Sequence, residues 1–200
     1  MREACDIACA MFADLIERFQ GHSDIPVIVA GSQHATVADY QMLLKDRGVK
    51  LTGVEFMIAD APDRPTRVRR VWELLLPRFE RVVQCTLDVP YYSPWQYREL
   101  VYQLSRYDVV FHPTVDDGMC PYGARRIVDL WGKIDSREPG ALLAIVRRLK
   151  RQKLSWWCGN PMFDIDTVDD LATLYRWIRS LSTDQERFCS RTFRLCRGIF

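Results

Sequence analysis

The chain has 200 residues, of which 48% are hydrophobic and 27% charged, and its formal net charge is +2. These values are ordinary for a single globular domain, and the near-neutral charge argues against a protein that coats nucleic acid. The charge thus gives no expectation of a nucleic-acid partner, and no membrane is expected either, because no apolar run approaches the roughly 18 to 20 residues of a membrane helix.

The cysteines indicate a reducing compartment. There are seven of them, an odd number, with no CxxC pair. The N-terminal segment mixes acidic and basic residues through its apolar positions and does not resemble a signal peptide. Reduced thiols in a cytoplasmic protein are therefore expected.

Helical and strand-like patterns alternate through the first half of the chain. A helical stripe runs from Ile7 to Phe19 and ends at Gly21. The patterns that follow are a strand at 24–32, a helix at 36–47 capped by Thr36, a strand at 51–60, a helix at 65–79, a strand at 81–87, a helix from Ser93 to about 106 and a strand at 107–113. Apolar strands alternating with helices predict a three-layer α/β fold with a mostly parallel sheet.

The second half is less regular. The sequence predicts a loop at 114–123, helices near 125–131 and 139–151, a short strand within 154–163, and a helix at 167–181 capped by Thr167. No linker or repeat divides residues 1–181, which we interpret as one domain. Residues 182–200 are interpreted as a last amphipathic helix or an ordered tail.

Acidic residues follow three of the predicted strands. Asp88 follows the strand at 81–87, the pair Asp116 and Asp117 follows the strand at 107–113, and Asp164 and Asp166 follow the last strand. In an open α/β sheet, ligands bind at the carboxyl ends of the strands. Converging carboxylates are the hard oxygen ligands that Mg²⁺ or Mn²⁺ requires.

Structural roles for these acidic residues are the alternative to metal binding. Asp116 and Asp117 precede Gly118, so an ordinary turn accounts for them as well as a function does. Asp88 is less easily explained, because Pro90 lies between it and the next helix and it is poorly placed to cap that helix. The arginines Arg125 and Arg126 belong to a basic stripe that indicates a solvated helix face, with a phosphate-facing role as the minority hypothesis.

Three segments resemble a known family. They are TLDVPYYSPWQYREL (86–100), YDVVFHPTVDDGMCPYGARR (107–126) and FDIDTVDDLATL (163–174). In order and spacing they resemble a bacterial family of GT-A-like glycosyltransferases, related to nucleotidyltransferases of the molybdenum-cofactor and phospholactate guanylyl type. The similarity runs through roughly residues 4 to 180, but only these three segments are specific.

The resemblance implies a set of site residues. The metal, Mg²⁺ or Mn²⁺, would be held by Asp88, Asp164 and Asp166. Catalysis would fall to Asp117, which orients or deprotonates the acceptor, and to Asp88. Substrate binding would fall to Arg67, Asp116 and Gly118.

The resemblance also implies a reaction class. The expected activity is a metal-dependent transfer from a nucleotide or nucleotide-sugar donor to a small-molecule acceptor, with a glycosyl group moving. Nucleotidyl transfer of the guanylyl or cytidylyl type is the first alternative.

The chain departs from the family pattern in places that matter. The strand and the basic, glycine-containing phosphate loop that open the family domain have no counterpart before the first helix. Met119 replaces the second glycine of the acidic loop, and the turn before the helix at 65–79 contains no glycine, with only Arg67 matching the basic residue expected there. The chain is thus interpreted either as an enzyme completed by upstream residues or as a catalytically degenerate binding or partner protein. A strand donated by a second chain would make it a homo-oligomer.

Overall fold

The computed structural model describes residues 2–132, 134, 139–181 and 189–200. Within these residues the helices and strands follow one another in the order α1 (Arg2–Gln20), β1 (Val27–Gly31), α2 (Val37–Asp46), β2 (Val54–Ile58), α3 (Arg64–Leu75), β3 (Val82–Gln84), α4 (Pro94–Gln103), β4 (Val109–Pro113), β5 (Met119–Ala124), α5 (Ala141–Arg151), β6 (Trp156–Cys158), α6 (Val168–Ser180) and α7 (Ser190–Ile199).

The strands form two sheets. Strands β1 and β2 pair in parallel, and the other sheet has the order β3-β5-β4-β6. Strand β5 is antiparallel to both β3 and β4, and β6 is parallel to β4. Because α3 returns the chain from the carboxyl end of β2 to the start of β3, β3 runs in the same direction as β1 and β2. The predicted α/β fold, with strands that run mostly in one direction, is confirmed.

Helices cover both faces of the sheets. Helices α3 and α5 pack on one face, where Trp72, Phe111 and Ile145 belong to one buried cluster. Helices α1 and α4 pack on the other face, where Leu15 and Leu100 belong to a second cluster. Both clusters include residues of β1 and of β3, so the helices bridge the two sheets.

The region after β4 differs from its prediction. The expected loop at 114–123 contains most of β5, whose six residues are all buried between β3 and β4. Its Pro121 and Gly123 are depleted in strands, so the local pattern did not indicate one. The helix expected near 125–131 is absent. Asp129 instead accepts hydrogen bonds from the amide of Gly132 (2.9 Å) and, through its carbonyl, from Arg148 Nε (2.7 Å), which holds this segment in turns.

Residues 190–199 at the end of the chain form helix α7, and residues 182–188 of the segment interpreted as a helix or tail lie outside the described residues. Helix α7 packs on α1, where the buried Asp14 accepts hydrogen bonds from the amide and hydroxyl of Thr192 at 2.9 and 2.8 Å. The ring of Phe193 stacks on Tyr175 of α6 with centroids 5.1 Å apart. None of the helices in the described part of the chain is long and apolar enough to cross a membrane.

Candidate functional site

Three carboxylates meet at the carboxyl ends of β4 and β6. Asp116 lies in the turn between β4 and β5, and Asp164 and Asp166 lie between β6 and α6. One oxygen from each lies within 4.8 Å of the other two. The pairing of β4 with β6 extends to this point, because the amide of Val115 donates to the carbonyl of Met162 (3.0 Å). The two loops therefore leave the sheet side by side. We call Asp116, Asp164 and Asp166 the acidic trio.

Asp116 is held by its own turn. Its Oδ1 accepts hydrogen bonds from the Thr114 hydroxyl and from the amide of Gly118 (3.1 Å). A Cβ at Gly118 would lie 2.7 Å from Thr114 Oγ1 and 3.1 Å from Asp116 Oδ1. Only glycine fits without displacing the carboxylate, so Gly118 shapes the loop that presents Asp116.

Asp88 lies beside the trio. It follows β3 and is half-buried, and its Oδ1 accepts a hydrogen bond from the hydroxyl of Thr86. Its carbonyl accepts a hydrogen bond from the amide of Ile165 (2.9 Å), between the two acidic residues of the β6–α6 loop. Its charge contributes to the raised pKa of both Asp164 and Asp166. Asp88 therefore lies within electrostatic reach of the trio.

Tyr91 joins the loop between β3 and α4, which carries Asp88, to the loop between β6 and α6. Its hydroxyl donates to the carbonyl of Phe163 and accepts from the amide of the same residue (2.8 Å). The two rings stack with centroids 4.9 Å apart. Tyr91 carries no local sequence signal of this contact, because no local pattern pairs residues 72 positions apart. Tyr91 thus positions the loop that carries Asp164 by hydrogen bonding to the backbone of Phe163.

Negative charge predominates at the site. Burial is the largest cause that raises the pKa of Asp164, and the charges of Asp116, Asp166 and Asp88 add to it, bringing the value to about 6. Burial, followed by Asp88 and Asp116, also raises the pKa of Asp166, although Arg64 partly offsets the effect. The ion pairs within the described residues involve other carboxylates.

Asp117, although next to Asp116 in the chain, does not belong to the trio. Its backbone has a φ of 73°, a left-handed conformation that aspartate tolerates better than most residues. Its carboxylate accepts a hydrogen bond from the amide of Gly140, and its carbonyl accepts one from the amide of Leu142 (3.0 Å). Asp117 therefore anchors the start of α5, and the catalytic role that the resemblance implies for it stays a prediction.

The predicted basic residues lie in two different places. Arg67 is half-buried in the wall of a trough of about 330 Å³ between β1 and β3, and the same trough is lined by Thr86, next to Asp88. Arg125 and Arg126 pair instead with Asp108 at the opposite end of β4. The hypothesis that Arg125 or Arg126 faces a phosphate beside the acidic loop was wrong, because β5 carries them to the far edge of the sheet.

Comparisons with known proteins show the fold. No protein-family model and no curated protein matches the chain. A solved structure from Desulfovibrio desulfuricans G20, provisionally named a nucleotide-diphospho-sugar transferase, matches with a TM-score of 0.80 and 18% identity over 98% of this chain and 83% of its own. A cytidylyltransferase from Leptospira borgpetersenii matches with a TM-score of 0.58 and 15% identity over 94% and 84%.

A further structure, of Rv0371c from Mycobacterium tuberculosis H37Rv in complex with manganese, matches with a TM-score of 0.51 and 17% identity over 82% of this chain and 84% of its own. At these identities the comparisons establish architecture. The chain has the fold of nucleotide-diphospho-sugar transferase-like and cytidylyltransferase proteins, as the resemblance implied.

Proposed function

We propose that the chain is a metal-dependent transferase that takes a glycosyl group from a nucleotide-activated donor. The observation that carries the proposal is the acidic trio, whose oxygens lie within 4.8 Å of one another at the carboxyl ends of β4 and β6. This is the edge of the sheet where ligands of open α/β folds bind.

The trio fits a hard divalent cation. Two ligands of one ion are separated by no more than twice the metal–oxygen distance, which for Mg²⁺ or Ca²⁺ sites is roughly 4 to 5 Å. Burial and neighbouring carboxylates raise the pKa of Asp164 and of Asp166, and a bound cation would offset both effects by stabilising the charged forms. Asp116, Asp164 and Asp166 would hold Mg²⁺ or Mn²⁺. A bound cation supplies charge neutralisation for the diphosphate leaving group.

Residues around the trio have separate parts in this proposal. Asp88, oriented by Thr86, adds negative charge that strengthens cation binding. Arg67, in the trough wall, would bind the phosphates of the donor. Gly118 leaves the Asp116 carboxylate in place, and its loop would shape the acceptor side of the site.

Glycosyl transfer is favoured by the similarity to the Desulfovibrio protein, with its TM-score of 0.80, and the manganese complex of Rv0371c supports the choice of metal. Nucleotidyl transfer is the second candidate, supported by the cytidylyltransferase structure, with its TM-score of 0.58 over 94% of this chain. A degenerate member that binds a nucleotide without turnover is the non-catalytic alternative, supported by Met119, which replaces the second glycine of the family's acidic loop.

The binding test is a calorimetric titration with Mn²⁺, followed by nucleoside diphosphates and nucleotide sugars in the presence of Mn²⁺. Wild type is expected to bind the metal, and Asp116→Asn and Asp164→Asn to bind it at least about tenfold more weakly. Asp46→Asn, at an exposed position at the end of α2, is the matched control and is expected to bind like wild type. Absence of binding by wild type, or equal binding by all variants, would contradict the proposal.

Product analysis separates the candidates. Glycosyl transfer breaks the sugar–phosphate bond and releases a nucleoside diphosphate, whereas nucleotidyl transfer from a nucleoside triphosphate releases pyrophosphate. Phosphorus NMR of reactions with sugar-phosphate and alcohol acceptors distinguishes these products. Binding without either product over long incubation would leave the non-catalytic alternative.

A further inference from the structure

Strand β4 and the segment that follows β6 change their pairing register just before the acidic trio. Phe111 pairs with Cys158, whereas the next paired residues are Thr114 and Met162. Between these two pairs β4 has two residues and the other segment has three, which makes a β-bulge. Because successive side chains of a strand alternate in direction, a shift by one residue changes which way the later side chains point. The bulge thus sets how the loop that carries Asp164 leaves the sheet.

The side chain of His112 lies at this bulge. Its Nδ1 is 2.8 Å from the carbonyl oxygen of Asn160, and because a carbonyl only accepts, Nδ1 carries the proton that is donated. The ring is 2% exposed and meets the ring of Trp157 edge to face, with centroids 5.9 Å apart. Nε2 is buried and has no hydrogen-bond partner among the residues that the structure describes. The bond to Asn160 is therefore the polar contact that orients this ring.

Gly159 leaves room for the ring. A Cβ at this position would lie 2.5 Å from Cε1 and 2.6 Å from Nδ1 of His112. Because the ring is buried and packed against its neighbours, another residue at position 159 would displace it from Asn160. The amide of Gly159 donates to the carbonyl of Phe111 (2.9 Å), so the glycine is itself held against β4.

The contact between His112 and Asn160 links the two segments that carry the acidic trio. Asp116 lies four residues after His112, and Asp164 lies four residues after Asn160. Between the contact and the trio, the amide of Met162 donates to a carbonyl of β4 (2.8 Å). Asn160 is exposed, so without the histidine donor its carbonyl would turn to water and the bulge would relax. Relaxation of the bulge would move Asp164 relative to Asp116.

We propose that His112 is a positioning residue of the metal site. By donating its Nδ1 proton to Asn160 it fixes the bulge, and the bulge holds Asp164 close enough to Asp116 for the two to share a cation. His112 acts through the backbone of the loop, as Tyr91 does from the β3 side. The effect on metal binding rests on the proposed function, whereas the hold on the loop does not.

The first test separates the donor of His112 from its volume. His112→Phe keeps an aromatic ring and removes the donor, whereas His112→Asn is smaller and keeps an N–H near the position of Nδ1. Calorimetric titration is expected to show at least about tenfold weaker Mn²⁺ binding by His112→Phe, and binding within about threefold of wild type by His112→Asn. His22→Phe loses a histidine contact to Arg98 (3.2 Å) before β1, at the opposite end of the sheet, and is the matched control. It should bind Mn²⁺ like wild type.

Gly159→Ala tests the same contact from the other side. The added methyl group would displace the ring, so Mn²⁺ binding is expected to weaken about as much as in His112→Phe. Because both changes remove one contact, the double variant should bind no more weakly than either single variant.

Hydrogen exchange without metal measures the hold on the loop by itself. In His112→Phe the amides of Met162 and Ile165 are expected to exchange at least about tenfold faster than in wild type, because the loop opens locally. The rates are taken relative to those of β5, so that a uniform loss of stability does not count. In His112→Asn the same amides should exchange within about threefold of wild type.

Three outcomes would overturn the proposal. They are loop exchange in His112→Phe that matches wild type, Mn²⁺ affinity in His112→Phe that equals that of a metal-binding wild type, and equal losses in the Phe and Asn variants, which would follow the volume of the ring. Absence of Mn²⁺ binding by wild type would contradict the proposed function and the effect on metal binding together. Faster loop exchange in His112→Phe would then still assign the hold on the loop to His112.

Discussion

The two ends of β4 carry acidic residues with opposite electrostatics. Asp108, just before the strand, has a side chain only 8% exposed and pairs with Arg125 and Arg126. Burial alone would raise the pKa of Asp108, but hydrogen bonds from Ser155 and from both guanidinium groups lower it to about 2. Beyond the other end of the strand, burial and neighbouring carboxylates raise the pKa of Asp164 to about 6.

The two ends of β4 differ in whether the chain itself supplies positive charges that pair with the carboxylates. At the Asp108 end the chain supplies its own cations, and the carboxylate links the starts of β4 and β6 through the amide and hydroxyl of Ser155, at 2.9 and 3.0 Å. At the trio the described residues form no such ion pair, and the carboxylates gather where ligands bind. A compensated buried acid indicates structure, whereas an uncompensated cluster in a ligand-binding position indicates function.

The largest expected effect is at the compensated end. Asp108→Asn removes the charge that pairs with two partly exposed guanidinium groups and is expected to lower the free energy of unfolding at pH 7 by about 2 kcal/mol. Because the folded pKa is lowered, the contribution of Asp108 is complete above about pH 4 and is lost as the pH falls towards 2, so the variant and wild type should converge in acid. Urea denaturation at pH 7 and pH 2 measures both quantities. If Asp108→Asn is as stable as Asp46→Asn, the structural role assigned to Asp108 is wrong.

Next comes the junction between the acidic loops. Tyr91→Phe removes both hydrogen bonds to Phe163 while keeping the ring stack, and is expected to lower the free energy of unfolding by about 1 to 2 kcal/mol. Mn²⁺ affinity should fall several-fold as well, because the loop that carries Asp164 loses its anchor. Tyr102→Phe, at an exposed tyrosine of α4, is the control. Equal metal affinity in Tyr91→Phe and wild type would show that the tyrosine acts on stability alone.

The third prediction concerns Asp164 without divalent cations. Because burial and repulsion raise its folded pKa, ionisation destabilises the folded state progressively between about pH 4 and pH 6. Asp164→Asn should therefore be more stable than wild type at pH 7 by about 1 kcal/mol after allowance for solvent screening, and equally stable near pH 4. Thermal unfolding in a chelator at the two pH values provides the measurement. A variant less stable than wild type at pH 7 would mean that the carboxylate has a compensating partner.

The smallest stability effect is expected at Asp117. An asparagine can still accept the hydrogen bond from Gly140, so Asp117→Asn should change the free energy of unfolding by less than about 0.5 kcal/mol and leave Mn²⁺ binding intact. If Asp117 acts on the acceptor, as the resemblance implies, turnover should fall about 100-fold. Unchanged turnover would restrict Asp117 to its contact with α5.

Local patterns in the sequence determined much of this protein. The caps Thr36 and Thr167 accept hydrogen bonds from the third residue of their helices, as predicted, because capping depends on residues three apart. The alternation of apolar strands and helices identified the α/β fold, since burial imposes its period on the sequence. Because the strands could be predicted, the acidic residues that follow them could be recognised as well.

Tertiary packing decided the rest. Strand β5 is stabilised by pairing with β3 and β4, and its own Pro121 and Gly123 give no local indication of a strand. The grouping of Asp116 with Asp164 and Asp166, the contact of Asp117 with Gly140, the pairing of Asp108 with Arg125 and the clasp of Tyr91 on Phe163 join residues 17 to 72 positions apart. The trough between β1 and β3 exists only where two sheets are held apart by shared helices. These features follow from which surfaces the folded chain buries against each other, and no window of the sequence contains that information.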